Sequence, residues 1–262
     1  MSEKLRRLLI FAIITTLFFT LRCPAQAHIP PKPMRLAAAA DLQPVLPPIL
    51  HEFKQATGIT VLASYHSSAT LAMQILNQAP FDLFMAADMS YAQYVIDRGA
   101  GASSTPVPYA RGTLVLWTRN DSGISNLSLN SLRSSDIRTI AIANPKHAPY
   151  GRAAQQTLIH AGLMPAVKSH LVIAEDIAQA AQYTESGNAQ VGFISLTSAL
   201  TPRLRKSGHY VRIPQQDYVP LIQGAVVIKG AKNAAAAHRF LQFLNTPKIR
   251  AELAAAGLES PK

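Results

Sequence analysis

Leu36-Ala37-Ala38-Ala39-Ala40-Asp41-Leu42, followed one strand and one helix later by Ser64-Tyr65-His66-Ser67-Ser68-Ala69-Thr70, is the part of the chain that decides its reading. Each stretch reads as a strand that ends in small or hydroxyl residues and then opens a helix. Such a junction leaves several backbone N–H groups without intrahelical partners, at the positive end of the helix dipole. Two of them side by side make a site for an anion.

Outward from these stretches, the pattern repeats. Leu36–Ala40 is an apolar run suited to a strand buried on both faces. Asp41 is a good N-cap for a helix over about 42–57, which places Leu46, Ile49, Leu50 and Phe53 on one face. Pro47 and Pro48 should delay or kink that helix, and Gly58 ends it. A strand over 59–64, a helix capped by Ser67 or Ser68, a strand over 81–87 and a helix opened by Asp88 follow. Alternation at this spacing is the signature of parallel βαβ units. Further strands are expected over 112–118, 137–143, 171–174, 191–195, 210–213 and 222–228. Helices are expected over 152–160, from Glu175-Asp176 to Glu185, over 234–245, and from Pro247. The later set reads as a second α/β lobe, with the chain returning to the first at its end.

The 262 residues suffice for one large domain or two lobes with real cores. Lys4, Arg6 and Arg7 precede an apolar run, Leu8–Leu21, and Ala25-Gln26-Ala27 is a small-x-small cleavage site. Residues 1–27 therefore read as a secretory signal peptide, too short in its apolar part for a membrane span. Cys23 is the one cysteine and lies in that segment, after Arg22 where a lipid-attachment signal wants a small residue. The mature chain then has no disulfide and no thiolate chemistry, which points to a bacterial periplasm. Removing the leader takes the net charge from +11 to +8. The cations are scattered without interleaved aromatics, so nucleic-acid binding is not expected.

The histidines show no metal-ligand spacing, and no Gly-x-Ser-x-Gly elbow is present, so no catalytic residue, metal or cofactor is assigned. Hydroxyls or backbone N–H groups meet helix starts at four places: Asp41, Ser67/Ser68, Tyr150-Gly151 and Glu175-Asp176-Ile177. Each alone is an ordinary helix cap. Together, on alternating strand–helix units, they share the crevice at the strand carboxyl ends. Spacing goes as far as an anion or other small polar ligand in a cleft.

Ala38-Ala39-Ala40-Asp41-Leu42, Ser64–Ile75 and Ala79-Pro80-Phe81-Asp82-Leu83-Phe84-x-Ala86-Ala87-Asp88 resemble the periplasmic molybdate-binding proteins of ABC transporters. Asn144-Pro145-x-His147-x-Pro149-Tyr150-Gly151 and Ala174-Glu175-Asp176 are similar to the second-lobe motifs of that family. The resemblance implies the two-lobed class II periplasmic binding protein fold, an α/β architecture whose lobes are mixed, mostly parallel sheets flanked by helices and joined by two hinge strands. The implied lobes are 35–112 with 220–262, and 113–219, with the hinges near Leu114–Thr118 and Ala225–Ile228. It further implies a monomer that carries molybdate or tungstate to an inner-membrane ABC permease. Its ligand would be held by hydroxyls and backbone N–H groups, without a neutralising cation. Carried over position by position, the ligand-binding residues are Asp41, Ser68, Tyr150, Ile177 through its N–H, and Ser195. Two of them depart from the family pattern. Asp41 stands where many members have Ser or Asn, and Ser195 stands where some have a donor tyrosine that Tyr150 would replace.

Molybdate is a dianion at neutral pH, so a carboxylate facing it in a dry site is repelled. Phosphate still carries a proton that Asp41 could accept. The reconciling expectation is that the Asp41 carboxylate turns back to cap its own helix at the Gln43 N–H, leaving its backbone N–H for the ligand. Binding proteins for phosphate or sulfate, and a secreted hydrolase using Ser67 or Ser68, are the competing classes.

Overall fold

The computed structural model of the chain describes residues 32–261. The expected leader, 1–27, and Cys23 lie outside them. The described chain builds two five-stranded sheets with helices packed on both faces of each.

The first sheet holds β1 (Met34–Ala39), β2 (Val61–His66), β3 (Leu83–Ala86) and β4 (Val107–Gly112). Its helices are α1 (Leu46–Thr57), α2 (Ser68–Leu76) and α3 (Met89–Asp97). The second sheet holds β5 (Leu114–Arg119), β6 (Ile140–Ala143), β7 (Leu171–Ala174), β8 (Val191–Ser195) and β9 (Gly208–Arg212). Around it lie α4 (Pro149–His160), α5 (Met164–Val167), α6 (Ile177–Glu185), α7 (Leu196–Ala199) and α8 (Pro202–Ser207). The chain then returns to the first sheet through β10 (Leu221–Val227), and α9 (Ala234–Leu244) and α10 (Pro247–Ala255) close it.

The strand orders are β2-β1-β3-β10-β4 and β7-β6-β8-β5-β9. Each sheet has three parallel strands, then one reversed strand, then an edge strand. The carboxyl ends of the parallel strands are where helices α2, α3, α4 and α6 begin. The chain passes between the sheets at Thr113 and again over 213–220. The strands expected as hinges are therefore ordinary members of the sheets, β5 inside the second and β10 inside the first.

Alternation explains why β1 sits in the interior. Leu36 and Ala38 pack with Phe53 and Phe240 on one face of the sheet, whose rings meet at 5.1 Å. Ala37 joins Leu71, Phe84 and Val95 on the other. A strand with both faces covered must be apolar throughout. In the second sheet Leu114 and Leu116 face one core while Val115 and Trp117 face the other.

Two local expectations need correction. The segment after Asp41 opens with a short 3-10 turn, Ala40–Leu42, and α1 starts only at Leu46 with Pro47 and Pro48 in its first turn. Proline lacks the N–H that a first turn leaves unpaired anyway, so the delay is where the ring costs least. β4, not expected from the sequence, runs through Pro108, which an edge strand tolerates because one flank needs no ladder bond.

Candidate functional site

The carboxyl ends of β1 and β3 meet the starts of α4, α6 and α7 along the seam between the sheets. Ala39, Ala40 and Ala87 from the first sheet pack into one buried cluster with Ala148, Tyr150 and Ile177 from the second. Small residues on one side let the helix starts of the other come close. Within the second side, Gly151 lets the start of α4 lie against the end of β6, because a Cβ there would lie 2.2 Å from the Ala143 carbonyl oxygen.

Asp41 lies at the centre of the seam and is fully buried. Its Oδ2 accepts hydrogen bonds from the Tyr150 hydroxyl at 3.1 Å and from Gln223 Nε2 at 2.5 Å. Its Oδ1 has no partner, and neither has Gln223 Oε1. Burial raises the carboxyl from 3.8 to about 6, against the lowering effect of the Gln223 and Tyr150 bonds. Both donors are neutral, so no countercharge offsets the desolvation. The Tyr150 phenol is pushed well above its ordinary value by burial and then by the Asp41 charge. Gly112 makes room for the pair: a Cβ there would lie 2.2 Å from the Tyr150 hydroxyl oxygen and 3.1 Å from Gln223 Nε2.

The expected turn of Asp41 back onto its own helix does not occur. The Gln43 N–H donates instead to the Ala40 carbonyl oxygen at 3.2 Å, closing the 3-10 turn. The carboxylate is thereby free to face Tyr150 across the seam.

Ser68 is buried, and its Oγ accepts the Ala87 N–H at 3.0 Å, tying the start of α2 to the end of β3. Its neighbour Ser67 caps α2 through the Thr70 N–H at 3.2 Å. Ile177 is the first residue of α6 behind the cap Asp176, whose carboxylate accepts from the Gln179 N–H at 2.9 Å. In that position the Ile177 N–H has no intrahelical acceptor. Ser195 caps α7, accepting from the Ser198 N–H at 3.2 Å, so its oxygen is engaged in its own turn. The link from Ser195 to the seam is Thr197, whose hydroxyl donates to the Asp41 carbonyl oxygen at 2.8 Å and lies 2.8 Å from Ser195 Oγ. The structure thus gathers Asp41, Tyr150 and Ser195 into one hydrogen-bonded chain. Ser68 and Ile177 border the same buried cluster. All five residues are between 0 and 3% exposed, so anything that reaches them must part the seam.

Further contacts tie the two sides. The Ala69 N–H donates to the His147 carbonyl oxygen at 3.1 Å. At the rim Arg152 pairs with Asp88, and its Nη1 donates to the Tyr91 hydroxyl at 3.2 Å. Sequence reasoning missed Gln223, Thr197 and Arg152. Gln223 carried a signal, as the one amide in the apolar run 221–228, because a polar group in a buried strand must have a partner. Thr197 and Arg152 carried none, since their partners lie 156 and 64 residues away.

The family model described as "Bacterial extracellular solute-binding protein" matches residues 34–259. The molybdate-binding protein ModA of Azotobacter vinelandii is 33% identical over 90% of this chain and 92% of its own. That of Rhodobacter capsulatus is also 33% identical, over 75% of this chain and 76% of its own. The solved structure of the Azotobacter vinelandii periplasmic molybdate-binding protein superposes with a TM-score of 0.82 at 31% identity, covering 87% of this chain and all of that one.

Proposed function

The chain belongs to the family of bacterial extracellular solute-binding proteins, and from that premise we propose that it captures molybdate at the seam, in the periplasm, for an ABC transporter. The observation that carries this is likeness to a molybdate-binding protein across nine-tenths of the chain. The seam supports it physically. Helix starts and neutral donors converge there, and the site residues lie under a closed rim, as suits a small anion held without a cation.

In this proposal the two sheets with their helices act as lobes, 35–112 with 220–262 and 113–219, that part at the two crossings and close on the ligand. Asp41, Ser68, Tyr150, the Ile177 N–H and Ser195 supply the contacts, with Ser195 leaving its own turn to do so. Donors from both lobes are satisfied together only when the ligand bridges them, so binding shifts the open–closed equilibrium. The protein acts as a monomer by binding and release rather than by catalysis. The hydroxyls of Ser67 and Ser68 support that, since they meet Thr70 and backbone N–H groups. Tungstate, with the same charge and shape, is taken as well. The leader 1–27 is cleaved on export, and an inner-membrane permease receives the ligand.

One observation favours a second reading. A buried, ionised Asp41 suits an oxyanion that still carries a proton, which is hydrogen phosphate. Calorimetric titration of the ligand-stripped mature protein with molybdate, tungstate, sulfate and phosphate decides between them. Tight binding of molybdate and tungstate alone is the expected result. Sulfate or phosphate binding instead would keep the fold and overturn the ligand.

A further inference from the structure

Asp41 is a carboxylate with no countercharge at the one place where the proposed ligand would bring two more negative charges. Every element packed against it offers a neutral group. Tyr150 comes from α4 and Gln223 from β10, while Thr197 from α7 binds its carbonyl oxygen. Tyr109 of β4 stands close enough to feel its charge and donates its own proton to the Ala86 carbonyl oxygen at 3.2 Å. Behind Tyr150 lies Tyr218, and the cations beyond it, Arg111 and Arg212, are held by Glu259. Among the described residues no Lys, Arg or His pairs with Asp41.

We propose that Asp41 takes up one proton from solvent when a fully deprotonated oxyanion is captured, so that the closed complex holds the dianion beside a neutral carboxylic acid. The inference rests on the oxyanion reading above and adds the protonation state in which that site selects its ligand. The balance is one dianion and one proton bound, with the buffer as the proton's source and no other bond made or broken.

Two features of the geometry carry it. The buried cluster contains two acceptor atoms without donors, Asp41 Oδ1 and Gln223 Oε1, and an added proton turns the first into a donor. A water-excluded seam also magnifies repulsion between an ionised Asp41 and a dianion, and protonation removes it. The cost of protonation is small, because burial already holds the carboxyl at about 6 even against the hydrogen bonds from Gln223 and Tyr150. A dianion nearby acts in the same direction as burial. A neutral Asp41 supplies the hydrogen-bond donor that a dianion needs. An ionised one accepts only from a ligand with a proton of its own.

The test is titration calorimetry with molybdate on the mature protein at pH 7.5, in two buffers of contrasting ionisation enthalpy. The expected result is a difference in heat equivalent to about one proton taken up per ligand, with Kd rising by up to about tenfold per pH unit above pH 6. Asp41→Asn should bind with buffer-independent heat and a flat pH profile. Difference infrared on the unsubstituted protein gives a second readout, a protonated-carboxyl stretch that appears on adding molybdate. Tight molybdate binding with the same heat in both buffers and no such band would overturn the inference and leave the ligand reading standing. Binding of phosphate alone, without proton uptake, would overturn both, as would no binding of molybdate or tungstate.

Discussion

Asp41 and Asp88 stand at equivalent places in the first sheet. Each follows a parallel strand, β1 or β3, and each is met from across the seam by α4, Asp41 by Tyr150 and Asp88 by Arg152 two residues later. Their surroundings then diverge. Asp88 caps α3 through the Ser90 N–H at 2.6 Å, and its side chain keeps 20% of its exposure beside a guanidinium. Asp41 caps no helix, is sealed from water and has only a phenol and an amide as side-chain donors. The same residue type at the same topological position is thus a structural anchor in one case and a poised proton site in the other. The difference is made by what α4 and β10 bring to it, not by the β-strand–helix junction.

The comparison is broken most directly by neutralising Asp41. With its folded-state value raised from 3.8 to about 6, this group contributes stability that is fully present below about pH 4 and lost as pH rises through 6. The difference amounts to about 3 kcal/mol. Asp41→Asn should therefore be more stable than the parent at pH 8 by about 1–3 kcal/mol, the range reflecting an amide N–H₂ left where Oδ1 has no partner. The gain should vanish by pH 4. Urea unfolding of both proteins without ligand at pH 4, 6 and 8 measures it. Equal stability curves across that range would show that Asp41 is not a strained, buried anion.

Gly112→Ala tests the contact from the other side. Its Cβ would stand 2.2 Å from the Tyr150 hydroxyl oxygen, so the phenol must leave Asp41 or the edge of β4 must shift. A loss of about 1–3 kcal/mol is expected in the same urea measurement, as for overpacking elsewhere. The loss should be larger at pH 8, where the abandoned carboxylate is charged, than at pH 4. A loss independent of pH would place the strain in the backbone of β4 and not in the Asp41–Tyr150 bond.

How much of this was legible beforehand follows the same division. The alternation of strands and helices and the helix starts at Ser67/Ser68 and Glu175-Asp176 are local events, written within four residues of each other, and the structure has them, with Ser67 and Asp176 as the caps. The capping role assigned to Asp41 failed because a local rule was applied to a residue whose partners lie 109 and 182 positions away. β4 was missed because Pro106 and Pro108 read as loop residues, and only the strand's place at the sheet edge makes Pro108 acceptable within it. Gln223 was visible as a polar residue in an apolar strand, but nothing in the sequence said that its amide would point at Asp41. The amino acids specified the elements and the small residues that let the seam close. Which charges that seam would leave uncompensated depended on the register of ten strands.

The smallest expected effect belongs to the rim. Arg152 and Asp88 are an ion pair with side-chain exposures of 36% and 20%, and solvent screens most of their attraction. Arg152→Met keeps an aliphatic stem and removes the guanidinium, with its charge, its place over the Tyr91 ring and both hydrogen bonds. Its cost in urea unfolding should be about 0.5–1 kcal/mol at low salt and less at high salt. Because the pair spans the seam, the same loss should weaken the closed form, and molybdate Kd should rise by no more than about fivefold. A larger loss of affinity at unchanged stability would mean that Arg152 reaches the ligand itself. The site would then hold its anion with a cation, and the contrast between a neutral interior at Asp41 and a charged rim at Asp88 would fail.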